Sequence, residues 1–359
     1  MRIGVPAETK NHEGRVALTP AGAFALVERG HSVTVLSGAG LTAGYDNADY
    51  IEAGATVTED VAEAWQQDMT LKVKEPTPAE YEFLTANILF TYLHLAADKP
   101  LTEALMAAGT TAVAYETVQL PDRSLPLLTP MSEIAGRLSA QEGAYHLKAT
   151  SGGRGILLGG VPGTERAKVV VVGGGVAGEQ AAATALGVGA DVTIFDVSLP
   201  RLRQLDVAYG RRIKTRASNP YALAEAVAQA DLVIGSVLIP GAAAPKLVTD
   251  AMLRSAKRGA VFVDIAIDQG GCFEGSKATT HDDPTFRLHD VVMYCVANMP
   301  GAVPATATEA LTNATLPYIQ RVADLGWDAA AAADPALAKG LNVLGGRVVN
   351  EPVARALGL

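Results

Sequence analysis

The feature that most constrains this chain is a six-residue run, Gly173-Gly174-Gly175-Val176-Ala177-Gly178, set between Val169–Val172 and a helix-forming stretch from Glu179 to Leu186. Four consecutive valines suit a strand buried on both faces, as in a parallel sheet, and the glycines that follow have G-x-G-x-x-G spacing. In that setting Gly173 permits a tight turn, Gly175 lets backbone approach a pyrophosphate, and Gly178 allows close packing of helix on strand. The helix N-terminus, opened by Val176 and Ala177, then favours the negative charge. A dinucleotide-binding unit is the expectation; a loop using glycine only for turning is the bland alternative. Asp196 closes the next β-rich run, 18 residues beyond Gly178. An acidic side chain there can accept hydrogen bonds from the adenosine ribose hydroxyls and repel a 2′-phosphate, so NAD is favoured over NADP. Arg201 and Arg203, on the following helix, keep NADP in play, and a strand-end turn carboxylate is the other reading of Asp196.

Composition narrows the partners. With 38 Asp and Glu against 29 Lys and Arg, the net charge is −9 and no basic block offsets it, which disfavours nucleic acid. Hydrophobic residues at 49 % of 359 supply an ample core, and at roughly 150 residues per domain the length suggests two domains. No apolar stretch approaches the ~18 residues of a membrane-spanning helix. Met1–Pro6 runs directly into Glu8 and Lys10, so no signal peptide is expected and a cytoplasmic location is. Cys272 and Cys295 have neither metal-ligand nor framework spacing and are expected as thiols.

β-rich runs alternate with helical patterns through the first 120 residues: Ile3 to Val5, Ser32 to Leu36, Met69 to Val73, Ile88 to Leu93 and Thr111 to Ala114. A long helix from Glu133 to Lys148 follows. A second series runs through Val169 to Val172, Val192 to Phe195, Ile213 to Thr215, Leu232 to Ile234, Val261 to Asp264 and Val291 to Tyr294. After Pro304 the patterns are helical, Thr306 to Leu325 and Asp328 to Leu341, without a further strand-rich unit. The expected fold is α/β: two doubly wound parallel-sheet domains, the second a Rossmann domain inserted into the first. The boundaries read as 1–127 and 305–359 for one domain and 128–304 for the other.

In a parallel sheet, ligands lie beyond the carboxyl ends of the strands. Arg15 follows Ile3 to Val5, Lys74 follows Met69 to Val73, and His94 follows Ile88 to Leu93. Together they offer a planar fork for a carboxylate, a point charge for an oxygen and a proton carrier near neutral pH. Taken singly, Arg15 and Lys74 also read as surface charges and His94 as a core imidazole. In the second series the same rule selects Ser236-Val237-Leu238, Ile265-Ala266-Ile267-Asp268 and Ala297-Asn298-Met299. Asp268 is the charged member, and a turn-stabilising role is equally open to it. An anionic substrate site paired with a nicotinamide site points to hydride transfer.

Longer blocks now add a resemblance. Arg2–Pro6, Glu8–Lys10, EGRVALTP from Glu13, KVKEP from Lys72, TYLHLA from Thr91, Tyr115–Val118, MSEIAGR from Met131, DIAIDQGG from Asp264 and VANMPGAVP from Val296 resemble the bacterial L-alanine dehydrogenases essentially end to end. The resemblance implies reversible oxidative deamination of L-alanine by NAD to pyruvate and ammonium. It implies that Arg15 and Lys74 bind the substrate carboxylate and oxygen, that His94 is an acid/base, and that Asp268 is a second acid/base or orients water and ammonia. It also implies cofactor contacts at Ser132, Val176, Ala177, Asp196, Arg201, Ser218, Val237, Leu238, Ile265, Asp268, Lys277, Val296 and Met299, and a homohexamer. No metal site is carried over, because Arg321 and Leu325 stand where relatives place a Glu and a His. Rival readings are the NAD-binding soluble component of a transhydrogenase, a lysine-pathway dehydrogenase of related architecture, and a non-catalytic NADH-responsive sensor; the first needs no amino-acid site, so His94 after Lys74 argues against it, and the last would have no use for the Arg15, Lys74, His94 and Asp268 group.

Overall fold

The computed structural model describes residues 1–237 and 244–359. The chain divides into two compact units, Met1–Met131 with Val303–Leu359, and Ser132–Ala302. The first unit opens with β1 (Arg2–Val5), β2 (Ser32–Leu36), β3 (Thr56–Thr58), β4 (Met69–Leu71), β5 (Ile88–Thr91) and β6 (Thr111–Ala114). The second contains β7 (Lys168–Val172), β8 (Asp191–Asp196), β9 (Lys214–Ala217), β10 (Leu232–Gly235), β11 (Val261–Asp264), β12 (Thr285–Leu288) and β13 (Val291–Tyr294). The chain then returns to the first unit with β14 (Leu341–Leu344) and β15 (Arg347–Val348).

Each unit is built on one sheet. The order in the first is β15-β14-β6-β5-β4-β1-β2-β3. Strands β1 to β6 pair in parallel, with Ile3 opposite both Val33 and Met69, and Leu89 opposite Ala112. The order in the second is β12-β13-β11-β10-β7-β8-β9, parallel except for the β12–β13 pair. Central strands such as β7 and β10 are buried along almost their whole length, which is why they read as continuous apolar runs rather than alternating ones.

The strand order gives the expected α/β class with two parallel-dominant sheets, each adding an antiparallel margin; in the first, β14 runs antiparallel to β6 and to β15. Other expectations need correction. The segment Asp328 to Leu341 is not one helix, because Pro335 starts a new turn after Trp327–Ala333. The chain beyond it is a hairpin, closed by Gly345 and Gly346 at φ +56° and +75°, the left-handed pair that a two-residue turn needs. Strands β3 and β12 were also unmarked, being short and carrying threonine or arginine. The long helix starts earlier than expected, at Thr129–His146. The first unit extends to Met131 rather than residue 127. The Tyr92 hydroxyl donates to the Leu127 carbonyl at 2.6 Å, and Arg15 Nη1 approaches Met131 Sδ at 3.0 Å, so the segment is held by first-unit side chains.

Candidate active site

Strands β1, β4 and β5 are consecutive in the first sheet, and their carboxyl ends carry Arg15, Lys74 and His94. Arg15 lies between β1 and helix Pro20–Val27 and is 2 % exposed. Its fork is engaged by Glu13: Nε to Oε1 at 2.6 Å and Nη2 to Oε2 at 2.5 Å. Burial opposes the charge, but the Glu13 carboxylate outweighs it and holds the guanidinium above its usual pKa. Arg15 is therefore a buried, oriented cation rather than a surface charge. Lys74 is partly exposed. Among the described residues its ammonium has no hydrogen-bond partner, while its backbone N–H donates to Glu8 at 3.2 Å.

His94 is no core imidazole, since its side chain is 48 % exposed. It occupies the left-handed region, φ +51° and ψ +34°, at a cost of about 1–2 kcal/mol for a residue with a Cβ. Glu116, beyond β6, offsets this by accepting the His94 backbone N–H at 2.7 Å and that of Leu93 at 3.2 Å. The imidazole stacks on Tyr92, 6.0 Å between ring centroids and 5° between planes. Burial pushes the Tyr92 phenol above its usual range, so it is a neutral donor. Glu8, Glu13 and Glu116 were not singled out in the sequence as functional. Each is set by contacts that spacing does not reveal, apart from the local Glu13-x-Arg15 pair.

In the second unit the glycine loop joins β7 to helix Val176–Gly187. Gly173 has φ +102°, and a Cβ on Gly178 would stand 1.8 Å from the Gly173 carbonyl oxygen, so the helix can approach the strand only through glycine. Among the described residues, a Cβ on Gly175 would meet nothing within 4 Å and no side chain caps this helix. Asp196 Oδ2 accepts from Gly174 N and Oδ1 from Ser198 N, both at 2.7 Å. The carboxylate is thus fixed at the end of β8, and each oxygen retains capacity for a hydroxyl. The Arg201 Nε donates to the Gly174 carbonyl at 2.6 Å and its guanidinium pairs with Glu179. Its charge is committed, which weakens the case for a 2′-phosphate. Open space at the helix N-terminus beside an anchored strand-end acid fits the diphosphate and ribose of a dinucleotide.

Other expected neighbours of that ligand lie at the same sheet edge or apart from it. Ser218 follows β9 and its N–H donates to the Asp196 carbonyl at 2.9 Å. Val237 follows β10, with Cγ2 2.9 Å from where a Gly173 Cβ would stand; Leu238 lies outside the described residues. Asp268 is exposed on the 3-10 turn Ile265–Gln269, whose Ala266 and Ile267 are buried and whose Ile265 is partly so. Among the described residues the buried Gln269 side-chain oxygen on that turn has no hydrogen-bond partner. After β13, Val296 and Met299 are buried, and Ala297 precedes Asn298 at φ +59°. Ser132 is half-buried on the long helix. Lys277 is exposed, with Nζ 4.5 Å from the Phe286 ring on β12, which ties it to the antiparallel margin.

Comparison with known proteins decides the family. Residues 4–135 match the profile described as alanine dehydrogenase/PNT, N-terminal domain, and residues 139–351 match the corresponding C-terminal domain. The chain belongs to the alanine dehydrogenase/PNT family. Its cofactor is NAD, in keeping with that membership and with the glycine loop. An alanine dehydrogenase of Mycolicibacterium smegmatis is 56 % identical over 361 aligned residues, covering 100 % of this chain and 97 % of the relative. A solved L-alanine dehydrogenase superposes with a TM-score of 0.97 at 52 % identity, covering 100 % of this chain and 99 % of that one. A transhydrogenase from Sinorhizobium meliloti follows at TM-score 0.84 and 28 % identity, covering 97 % and 100 %. Among the described residues no helix is long and apolar enough to cross a membrane.

Proposed function

We propose that this protein is an NAD-dependent L-alanine dehydrogenase that interconverts L-alanine with pyruvate and ammonium. The bound cofactor supplies a nicotinamide that accepts a hydride from the substrate α-carbon. Arg15, its fork oriented by Glu13, binds the substrate carboxylate, and the Lys74 ammonium holds the neighbouring oxygen. The iminium left on the substrate takes up water. The proton that water gives up on adding is carried by Asp268 to the amine nitrogen; as this protonated carbinolamine collapses, its hydroxyl proton passes to His94 and the amine leaves as ammonia. Asp268 is the second proton carrier, orienting the incoming water and the departing ammonia. In the second unit, Gly173, Gly175 and Gly178 with the helix N-terminus receive the diphosphate, and Asp196 receives the adenosine ribose.

The observation that carries this reading is that β1, β4 and β5, the strands that Arg15, Lys74 and His94 follow in sequence, are neighbours in one parallel-dominant sheet, in a chain 56 % identical along its whole length to an alanine dehydrogenase. A transhydrogenase component needs no amino-acid site, and the solved example is only 28 % identical. Assembly into a homohexamer is part of the same proposal and is checked by light scattering. The function is tested by incubating purified protein with NAD and a panel of amino acids at alkaline pH. L-Alanine should yield NADH fastest, L-serine poorly and L-lysine not at all. A protein that turns over lysine, or nothing, refutes it.

A further inference from the structure

Two residues before Lys74, a second lysine is treated in the opposite way. Lys72 is 1 % exposed, its ammonium 3.2 Å from Glu8 and 3.0 Å from Glu80, and 5.4 Å from the centre of the Trp65 ring. A buried ammonium is costly unless paired, and a buried pair is a weak device for stability alone. Its placement shows another use. Strand β1 pairs with β4 only as far as Gly4 opposite Thr70 and ends at Val5 before Pro6. Beyond that point the backbone carrying Lys74 has lost its neighbour on this side. The Glu8 carboxylate takes its place: Oε1 accepts the Val73 N–H at 2.6 Å and Oε2 the Lys74 N–H at 3.2 Å. On the other side Tyr92 N donates to the Val73 carbonyl at 3.2 Å, and Thr91 Oγ1 to that of Lys74 at 3.1 Å.

We infer that Glu8, held in place by the buried Lys72 ammonium, is a positioning residue that fixes the backbone of Lys74 and so aims its ammonium at the substrate oxygen. A carboxylate can accept from all three donors at once; a carboxylic acid or an amide would turn a donor towards one of them. Burial is the main influence raising the Glu8 pKa, and Lys72 is the main one opposing it. The Lys72 ammonium, in turn, stays charged because Glu8 and Glu80 outweigh its burial. Glu80 has a different task. It accepts the Thr77 N–H at 2.7 Å and braces the Pro78–Phe83 turn without touching Val73 or Lys74.

This inference rests on the proposed role of Lys74, and the test separates the two. Initial rates with pyruvate, ammonium and NADH are measured for the native protein and for Glu8→Gln, Lys72→Met, Lys72→Arg and Glu80→Gln. Glu8→Gln and Lys72→Met should raise the KM for pyruvate about tenfold or more, the scale of losing one charged hydrogen bond. The KM for NADH should not move, and Lys72→Arg should restore most of the pyruvate affinity. Glu80→Gln leaves Glu8, the stronger partner, facing the Lys72 ammonium, so it should lower the melting temperature and move the pyruvate KM far less than Glu8→Gln does. If Lys72→Met does not fold, Glu8→Gln against Glu80→Gln decides; if Glu8→Gln does not fold, Glu8→Asp takes its place. Equal pyruvate KM values in the Glu8 and Glu80 variants overturn the inference, whereas native protein without pyruvate reduction overturns the function beneath it.

Discussion

Glu116 accepts the backbone N–H of His94 at 2.7 Å while its carboxylate stands 3.8 Å from Nδ1 of the same residue. One side chain thus holds the strained backbone of the proposed proton carrier and places a negative charge beside its ring. His94→Asn tests the proton-transfer role cleanly, because asparagine tolerates the left-handed backbone. Its kcat should fall about 10²- to 10⁴-fold, with NADH binding followed by fluorescence unchanged. Turnover at the native rate would remove His94 from the chemistry.

The glycine loop makes two opposite predictions. Gly178→Ala places a methyl group 1.8 Å from the Gly173 carbonyl oxygen and should lower the melting temperature and abolish NAD binding together. Gly175→Ala adds its methyl group to open space, so stability should stay native while NAD affinity falls. Calorimetry on both variants checks the pair; a Gly175→Ala protein that binds NAD normally would contradict the diphosphate assignment.

Specificity for NAD is assigned to Asp196. Asp196→Ala should narrow the preference for NAD over NADP, read as the ratio of kcat/KM values, because the carboxylate that repels a 2′-phosphate is gone. It should also cost some stability, since two backbone N–H groups lose their acceptor. An unchanged ratio would show that the carboxylate serves only the turn.

An acid-sensitive contact lies away from the site. Asp324 on helix Pro304–Leu325 is hydrogen-bonded by Arg29 and, at 2.9 Å, by His31. Those bonds lower its pKa to about 2, against about 3.9 in an unfolded chain. A depressed carboxyl pKa stabilises the fold above the unfolded value, and the gain is lost as pH falls through the folded one. Asp324→Asn should therefore melt below the native protein at neutral pH, with the gap closing as pH drops from about 4 towards 2. A gap independent of pH would mean that charge is not its source.

What the sequence revealed follows how local each signal is. The glycine loop, its valine strand and the Asp196 spacing lie within one stretch, so their chemistry was legible directly. Arg15, Lys74 and His94 were legible because strand ends could be located and parallel pairing brings those ends together. The Gly345-Gly346 hairpin was hidden by the alanine-rich helices before it, and β12 by its polar composition. Least visible were the supporting carboxylates. Glu8 lies 65 residues before the Val73 N–H it accepts, and Glu116 lies 22 beyond the His94 N–H it holds. No periodicity relates such pairs; only the fold does.

The central claim is that hydride leaves the α-carbon of alanine for the nicotinamide. The most direct test uses L-alanine carrying deuterium at that carbon, with NAD and purified protein, and reads the nucleotide and keto-acid products by mass spectrometry. The account predicts pyruvate in equal amount to NADH, with one deuterium on each reduced nicotinamide. Unlabelled NADH, or no pyruvate, would contradict it.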